Sequence, residues 1–148
     1  MDMVLDANIA MIRRAIRAGV DIVTLGDDYT HNLAPMMSPA HFREFIYPRL
    51  KKAVDAIHEE GALCIKHSYG NLWSILDMIV DTGVEAINPL EPVAGMDIER
   101  VKAAYGGGFI LSSSNSIHSS VKPENYLAMV RTGQRYGSYP LNLKDGDY

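Results

Sequence analysis

Four short apolar, β-branched runs alternate with longer segments of helical periodicity, and each run breaks into polar residues. The runs are 20–25, 62–65, 84–88 and 109–111. Alternation of this kind means parallel strands joined by right-handed crossovers. In such folds the carboxyl ends of all strands lie at one end of the sheet, and ligands bind there. The expected fold class is therefore α/β, built of parallel βα units. Two architectures fit four units. One is a small open sheet with helices on both faces. The other is part of an eight-stranded barrel, which takes about 250 residues when whole and would leave two raw edges when halved.

The helical segments carry their own punctuation. Residues 5–18 place Leu5, Ile9, Ile12 and Ile16 at helical spacing, with Arg13, Arg14 and Arg17 near the cation-favouring C-terminal end and Gly19 as the stop. Ser38-Pro39 opens the next helix, a capping hydroxyl followed by proline at the first helical position; it runs to about Glu60. Pro48 falls inside it and predicts a kink or two helices in sequence, since proline lacks a donor and clashes one turn back. Further helices are expected over 72–81, over 98–104 behind an Asp97 cap, and from Pro123 to near Tyr136. The tail, 142–148, is polar and expected to fray. The whole of 1–148 reads as one domain.

Composition removes several classes of function. With 148 residues, 47% apolar and 22% charged, the chain is long enough to bury a core. Its net charge of −4 and scattered basic residues give no footprint for nucleic acid. No apolar run approaches the roughly 20 residues of a membrane span. The N-terminus lacks the pattern of a signal peptide. A lone Cys64 excludes an internal disulfide framework and fits a reducing cytoplasm; within a strand it reads as a small buried hydrophobe.

The polar strand ends carry the chemistry. The first loop offers Asp27, Asp28, Tyr29 and His31, the second Lys66, His67, Tyr69 and Asn71, the third Asn88 and Glu91, and the fourth Asn115 and His118. Parallel strands bring all four loops to one rim. Asp27 and Asp28 are adjacent, so at most one faces the site; that one suits general acid or base work, and the plainer reading of Gly26-Asp27-Asp28 is a turn. Lys66 and His67 face opposite sides by strand alternation. His67 can move a proton near neutral pH, hydrogen-bond a carboxylate or bind a metal; its plainer reading is a satisfied strand-end histidine. Glu91 lies between prolines, which suits a positioned carboxylate or simply a surface turn. Asn115 and His118 read as ligand binders or as partners of loop amides. No Gly-x-Gly-x-x-Gly, phosphate loop or Gly-x-Ser-x-Gly is present.

Several segments, taken in order, resemble the uroporphyrinogen decarboxylase superfamily. They are Gly26-Asp27-Asp28 with Pro35-Met36-Met37-Ser38-Pro39 and Phe42-Arg43-Glu44-Phe45, then Lys66-His67 with Gly70-Asn71. Next come Asn88-Pro89-Leu90-Glu91-Pro92 with Gly95-Met96-Asp97, and residues 109–117 leading into Lys122-Pro123-Glu124-Asn125. The resemblance implies a (β/α)8 barrel with its site at the strand C-termini, of which this chain looks like the C-terminal part, with an internal gap near Gly106. It implies one of two chemistries: cofactor-independent decarboxylation of the acetate arms of uroporphyrinogen, or methyl transfer beside a corrinoid protein, often with a zinc-bound thiol. Zinc-using relatives place a cysteine two residues after the histidine, where Tyr69 stands here, and a later one at about Asn115. Zinc is therefore not expected, and no metal ligands are assigned.

The resulting expectation is a cytoplasmic partial barrel acting on or beside a tetrapyrrole, its parent a corrinoid-linked methyltransferase, with uroporphyrinogen decarboxylation as the alternative. Asp28 and His67 are expected to handle protons or orient substrate. Asp27, Tyr29, Lys66, Asn71, Glu91, Asn115 and His118 are expected to bind it. The expected partner is the tetrapyrrole or the corrinoid protein. A non-enzymatic alternative is a barrel half that pairs with a copy of itself or with its missing half, or a small binding domain.

Overall fold

The computed structural model describes residues 1–106, 110–113, 117 and 119–137. By internal packing the chain divides into two compact units, Met1–Ser114 and Asn115–Tyr148. The first holds the sheet. The first also holds α5 (Ile98–Tyr105), capped by Asp97, whose Oδ1 accepts from the Arg100 N–H at 3.0 Å; in the second, helix α6 (Pro123–Tyr136) begins with proline in its first turn. The tail 142–148 lies outside the described residues. Among the described residues no helix is long and apolar enough to cross a membrane.

Three parallel strands form the sheet in the order β1 (Ile22–Gly26), β2 (Leu63–His67), β3 (Ala86–Asn88). The mixed α/β class and parallel direction agree with the alternation in the sequence. The expected fourth strand is not among the described strands. Phe109 lies outside the described residues, while Ile110 donates its N–H to the Ile87 carbonyl at 3.3 Å. That is one hydrogen bond on the outer edge of β3, and β3 is short: it ends where Pro89 removes a donor, after a cis Asn88–Pro89 peptide.

The long helix divides where proline predicts a break. Ser38 caps α2 (Pro39–His41), its Oγ accepting from the His41 N–H at 3.2 Å. A π-helical turn, Phe42–Ile46, follows, and then α3 (Tyr47–Glu59). Pro48 therefore lies in the first turn of α3, where a missing N–H costs little, and the widened π turn carries the chain past the clash that proline makes one turn back.

Register assigns the two faces of the sheet. Val23 pairs with Cys64, and Leu25, Lys66 and Ile87 share a row. This face is covered by helices. Cys64, Val54, Ile57, Leu76 and Ile79 are fully buried in one cluster with Phe42 of the π turn. Burying such side chains contributes about 1.5–3 kcal/mol each. The opposite face carries Ile22 and Leu63, both 50% exposed, then Thr24, Ile65 and Ala86, and at the strand ends Gly26, His67 and Asn88. It is apolar below and polar at the rim.

Helix α1 (Asp2–Arg17) packs on α3 through buried Ile9 and Ile12. Ion pairs link the same two helices: Arg13 to Glu59 at 2.5 Å, Lys52 to Asp6 at 2.7 Å, and Arg17 to both oxygens of Glu60 at 2.8 and 2.7 Å. Exposed pairs of this sort stabilise little singly. A groove of about 800 Å³ between α1 and α3 belongs to this helix layer and not to the strand ends.

Candidate functional site

Strand β2 runs two residues further than its apolar run, so Lys66 and His67 are strand residues and not loop residues. They point to opposite faces. His67 stands on the bare face, in register with Gly26 on one side and Asn88 on the other. Its Nε2 lies 3.8 Å from Asp28 Oδ1. That is an ion-pair distance when the imidazole is protonated and too long for a hydrogen bond. Asp28 is held from behind, since its Oδ1 also accepts from the Tyr69 N–H at 3.4 Å. A polar ligand atom seated to one side of the pair can reach both carboxylate and imidazole at hydrogen-bond distance.

Lys66 faces the helix layer and is fully buried. Its Nζ donates to the carbonyls of Leu25 at 3.1 Å and Asp27 at 2.8 Å, and lies 4.2 Å from the centre of the Tyr29 ring. Burial lowers its pKa from 10.5 to about 8, against the upward pull of the Asp27 and Asp28 carboxylates. The Tyr29 ring packs edge-on to Phe42, 5.1 Å between centroids, and burial followed by the nearby Asp27 charge raises its phenol above the ordinary range. Lys66 and Tyr29 are thus directed away from the row that holds His67.

Two more of the sequence-selected residues are engaged by backbone. Glu91 Oε2 accepts from the Gly70 N–H at 2.9 Å. Asn71 donates from Nδ2 to the Ala94 carbonyl at 3.0 Å and accepts at Oδ1 from the Trp73 N–H at 3.3 Å. The Leu72 N–H goes to Met96 Sδ at 3.3 Å. These contacts satisfy amides ahead of α4 (Leu76–Asp81), which starts four residues later than the periodicity predicts. The contacts tie the β2 loop to the short 3-10 turn Pro92–Ala94 that follows β3. Asn115 and His118 lie outside the described residues.

Three residues that sequence reasoning did not place among the site residues complete the frame. Thr30 Oγ1 donates to the Tyr69 carbonyl. Buried Ser68 accepts at Oγ from the Tyr29 N–H at 3.0 Å and donates its own N–H to the Asn88 carbonyl at 3.1 Å. Gly70, at φ +87°, lies so close to Thr30 and His31 that a Cβ would sit 2.6 Å from Thr30 Oγ1 and 2.8 Å from the His31 carbonyl oxygen. Ser68 was legible in principle, because it alternates in phase with buried Cys64 and Lys66. The Thr30 and Gly70 contacts depend on how two loops dock.

Asn88 completes the row. Its Nδ2 contacts Ser112 Oγ at 3.3 Å, and its Oδ1 is buried without a hydrogen-bond partner among the described residues. Among the described residues no three His, Cys, Asp or Glu side chains converge as metal ligands do. Asp28 and His67 supply two donors, and Tyr69, where zinc-using relatives carry cysteine, contributes backbone only in the contacts found here. Among the described residues no donor set fits a zinc site.

These features define a parallel α/β protein with its polar groups gathered at the strand C-termini. Residues 1–99 match the family model described as uroporphyrinogen decarboxylase (URO-D), and the chain belongs to that family. The matched part contains β1, β2, β3 and the loops that follow them; residues 109–125 lie outside it. Comparison with curated proteins and with solved structures returned no match.

Proposed function

We propose that this chain is a segment of a (β/α)8 barrel whose pocket opens over the C-terminal ends of β1, β2 and β3. There Asp28 and His67 handle a proton or orient a tetrapyrrole, and the parent enzyme is a corrinoid-linked methyltransferase. The observation that carries the reading is the 3.8 Å approach of Asp28 to His67 on the bare face. A carboxylate that can hold an imidazolium beside an open apolar surface is a means of moving a proton on a ligand that covers that surface. The methyltransferase branch is supported by Lys66-His67-Ser68-Tyr69-Gly70-Asn71 and by the charge of the rim. Loop residues 27–37, 68–75 and 89–97 contain no Lys or Arg, and they carry Asp27, Asp28, Glu91 and Asp97. Such a rim suits a neutral periphery better than a polycarboxylate. When bound, a corrinoid supplies the methyl-carrying centre; the chain's own residues supply the walls and the proton.

The second reading, decarboxylation of uroporphyrinogen acetate arms, is favoured by the description of the matching family model. A third keeps the barrel geometry without the chemistry: the half-exposed Ile22 and Leu63 on the bare face suit closure by a second copy or by the rest of a barrel.

The test is ligand affinity and turnover in the wild type and in His67→Ala. Hydroxocobalamin and uroporphyrin are titrated against Trp73 fluorescence. Methyl transfer from methylcobalamin to a small thiol and carbon dioxide release from uroporphyrinogen are assayed in parallel. The proposal expects methyl transfer, and a loss in His67→Ala of at least about tenfold in turnover or affinity, within the range for a removed acid–base group. A folded His67→Ala protein with unchanged values in every assay overturns it. Carbon dioxide release without methyl transfer moves the assignment to the second reading.

A further inference from the structure

We propose that Tyr69 is a further ligand-contacting residue, and that its ring stacks on the conjugated macrocycle of the tetrapyrrole. The inference rests on the functional reading above and adds the surface against which the macrocycle lies.

Three observations converge. The first is direction. Burial alternates residue by residue past the end of β2: 64, 66, 68 and 70 are buried, while 63, 65, 67 and 69 are exposed or partly exposed. Strand pairing also continues past His67, because the Ser68 N–H donates to the Asn88 carbonyl at 3.1 Å. Side chains two residues apart on a strand share a face. Tyr69 therefore stands on the bare face with Ile65 and His67, about 7 Å nearer the rim than His67.

The second observation is that the fold already uses the other rings near this end of the sheet. Tyr29, Tyr47, Trp73 and Tyr105 pack against the hydrophobic core, and Tyr69 does not. The Tyr47 and Tyr105 hydroxyls go to Asp81 and Asp77, and Trp73 donates to the Gly95 carbonyl with Arg100 over its ring. Among the described residues the Tyr69 hydroxyl makes no hydrogen bond and its ring meets no other ring or cation. The third observation is anchoring. The Tyr69 N–H donates to Asp28 Oδ1 at 3.4 Å, and its carbonyl accepts from Thr30. The next amide, Gly70 N–H, donates to Glu91 Oε2 at 2.9 Å. A stiff aromatic side chain on a backbone held this way loses little freedom when a ligand covers it. Its flat face, beside the Asp28–His67 pair, gives a conjugated ring a contact that an aliphatic side chain of similar bulk does not.

The test uses hydroxocobalamin and uroporphyrin, which differ in their arms and both carry a conjugated macrocycle. The full chain is titrated with each against Trp73 fluorescence, and the visible absorption of the bound probe is recorded. The proteins are the wild type, Tyr69→Leu, Tyr69→Phe and His67→Ala. For whichever probe the wild type binds, Tyr69→Leu is expected to weaken binding roughly fivefold, the worth of one ring–ring contact. The absorption band of its bound probe is expected to move toward that of the free probe. Tyr69→Phe keeps the ring and is expected to keep both affinity and band. If Tyr69→Leu does not fold by circular dichroism, Tyr69→Met, also without a ring, is expected to show the same loss. Unchanged affinity and band in a folded ringless variant, with His67→Ala weakened, overturns this inference and leaves the functional reading standing. A Tyr69→Phe protein as weak as Tyr69→Leu also overturns it. Binding of neither probe, or no effect in any variant, overturns both.

Discussion

Lys66 makes the protein more stable as the solution becomes moderately alkaline, contrary to the usual behaviour of a surface lysine. Its ammonium is fully buried, with two carbonyls and the Tyr29 ring as partners. Burial takes its pKa from 10.5 to about 8 in the folded chain. Between those values the unfolded chain holds the proton and the native chain has released it. The unfolded state then binds more protons, and stability rises with pH. Integrated for this one group, the gain is about 1 kcal/mol from pH 8 to 9 and about 2 kcal/mol from pH 8 to 10. Cys64 acts in the other direction, because burial pushes its thiol from 9.0 to about 12 and the unfolded chain loses that proton first. Lys66→Met separates the two, since Cys64 titrates in both proteins. Urea unfolding under reducing conditions and constant salt, at intervals from about pH 7 to pH 10, measures the difference between wild type and variant. That difference should grow in favour of the wild type by about 2 kcal/mol over the upper two pH units. A constant difference, or one that shrinks, refutes the buried-ammonium account.

Gly70→Ala should destabilise the fold by roughly 2–3 kcal/mol in urea unfolding, because the new methyl meets Thr30 and the His31 carbonyl at a left-handed φ; a change within experimental error would mean the two loops are not docked as described. Glu85 accepts from the Cys64 N–H at 2.6 Å and lies 3.0 Å from His58 Nε2; although burial opposes it, these contacts leave its pKa below 4.5. A depressed carboxylate contributes stability above its unfolded pKa and loses it as pH falls through the folded value. Glu85→Gln should therefore flatten the acid limb of the stability profile below about pH 4.5, by less than about 1 kcal/mol given its exposure, and an acid limb identical to wild type would contradict that pairing.

The sheet was legible because its signals are local. β-branched runs flanked by glycine, in alternation with 3.6-residue periodicity, specify parallel βα units without reference to any partner. Pro48 announced a break in the long helix, but not that the break is a π turn, which the backbone pairing shows. Strand ends were the weaker part. β2 reaches His67 because its row is continued by Gly26 and Asn88 on its neighbours, and pairing between strands is not written in either strand alone. The same limit applies to the start of α4, which follows a segment whose amides bond Asn71 and Met96. The approach of Asp28 to His67 follows from parallel strands meeting at one rim. That Lys66 turns inward follows from alternation, but what its amine bonds to does not.

The use of the polar residues at this rim is unequal, and the inequality is informative. Lys66, Asn71 and Glu91 each satisfy backbone groups of a neighbouring loop, and Ser68 and Thr30 do the same. Each such bond contributes about 1 kcal/mol net, but the amide or carbonyl it satisfies would cost more if buried alone. The loops after β1, β2 and β3 therefore form one fixed frame. His67 and Asn88 project from strands inside that frame, and Asp28 is held by the Tyr69 amide while its carboxylate still faces His67. A group meant to act on a ligand must keep bonding capacity in reserve and yet be held in place. Asp28 meets both conditions: the Tyr69 amide holds it, and its carboxylate lies within ion-pair distance of His67.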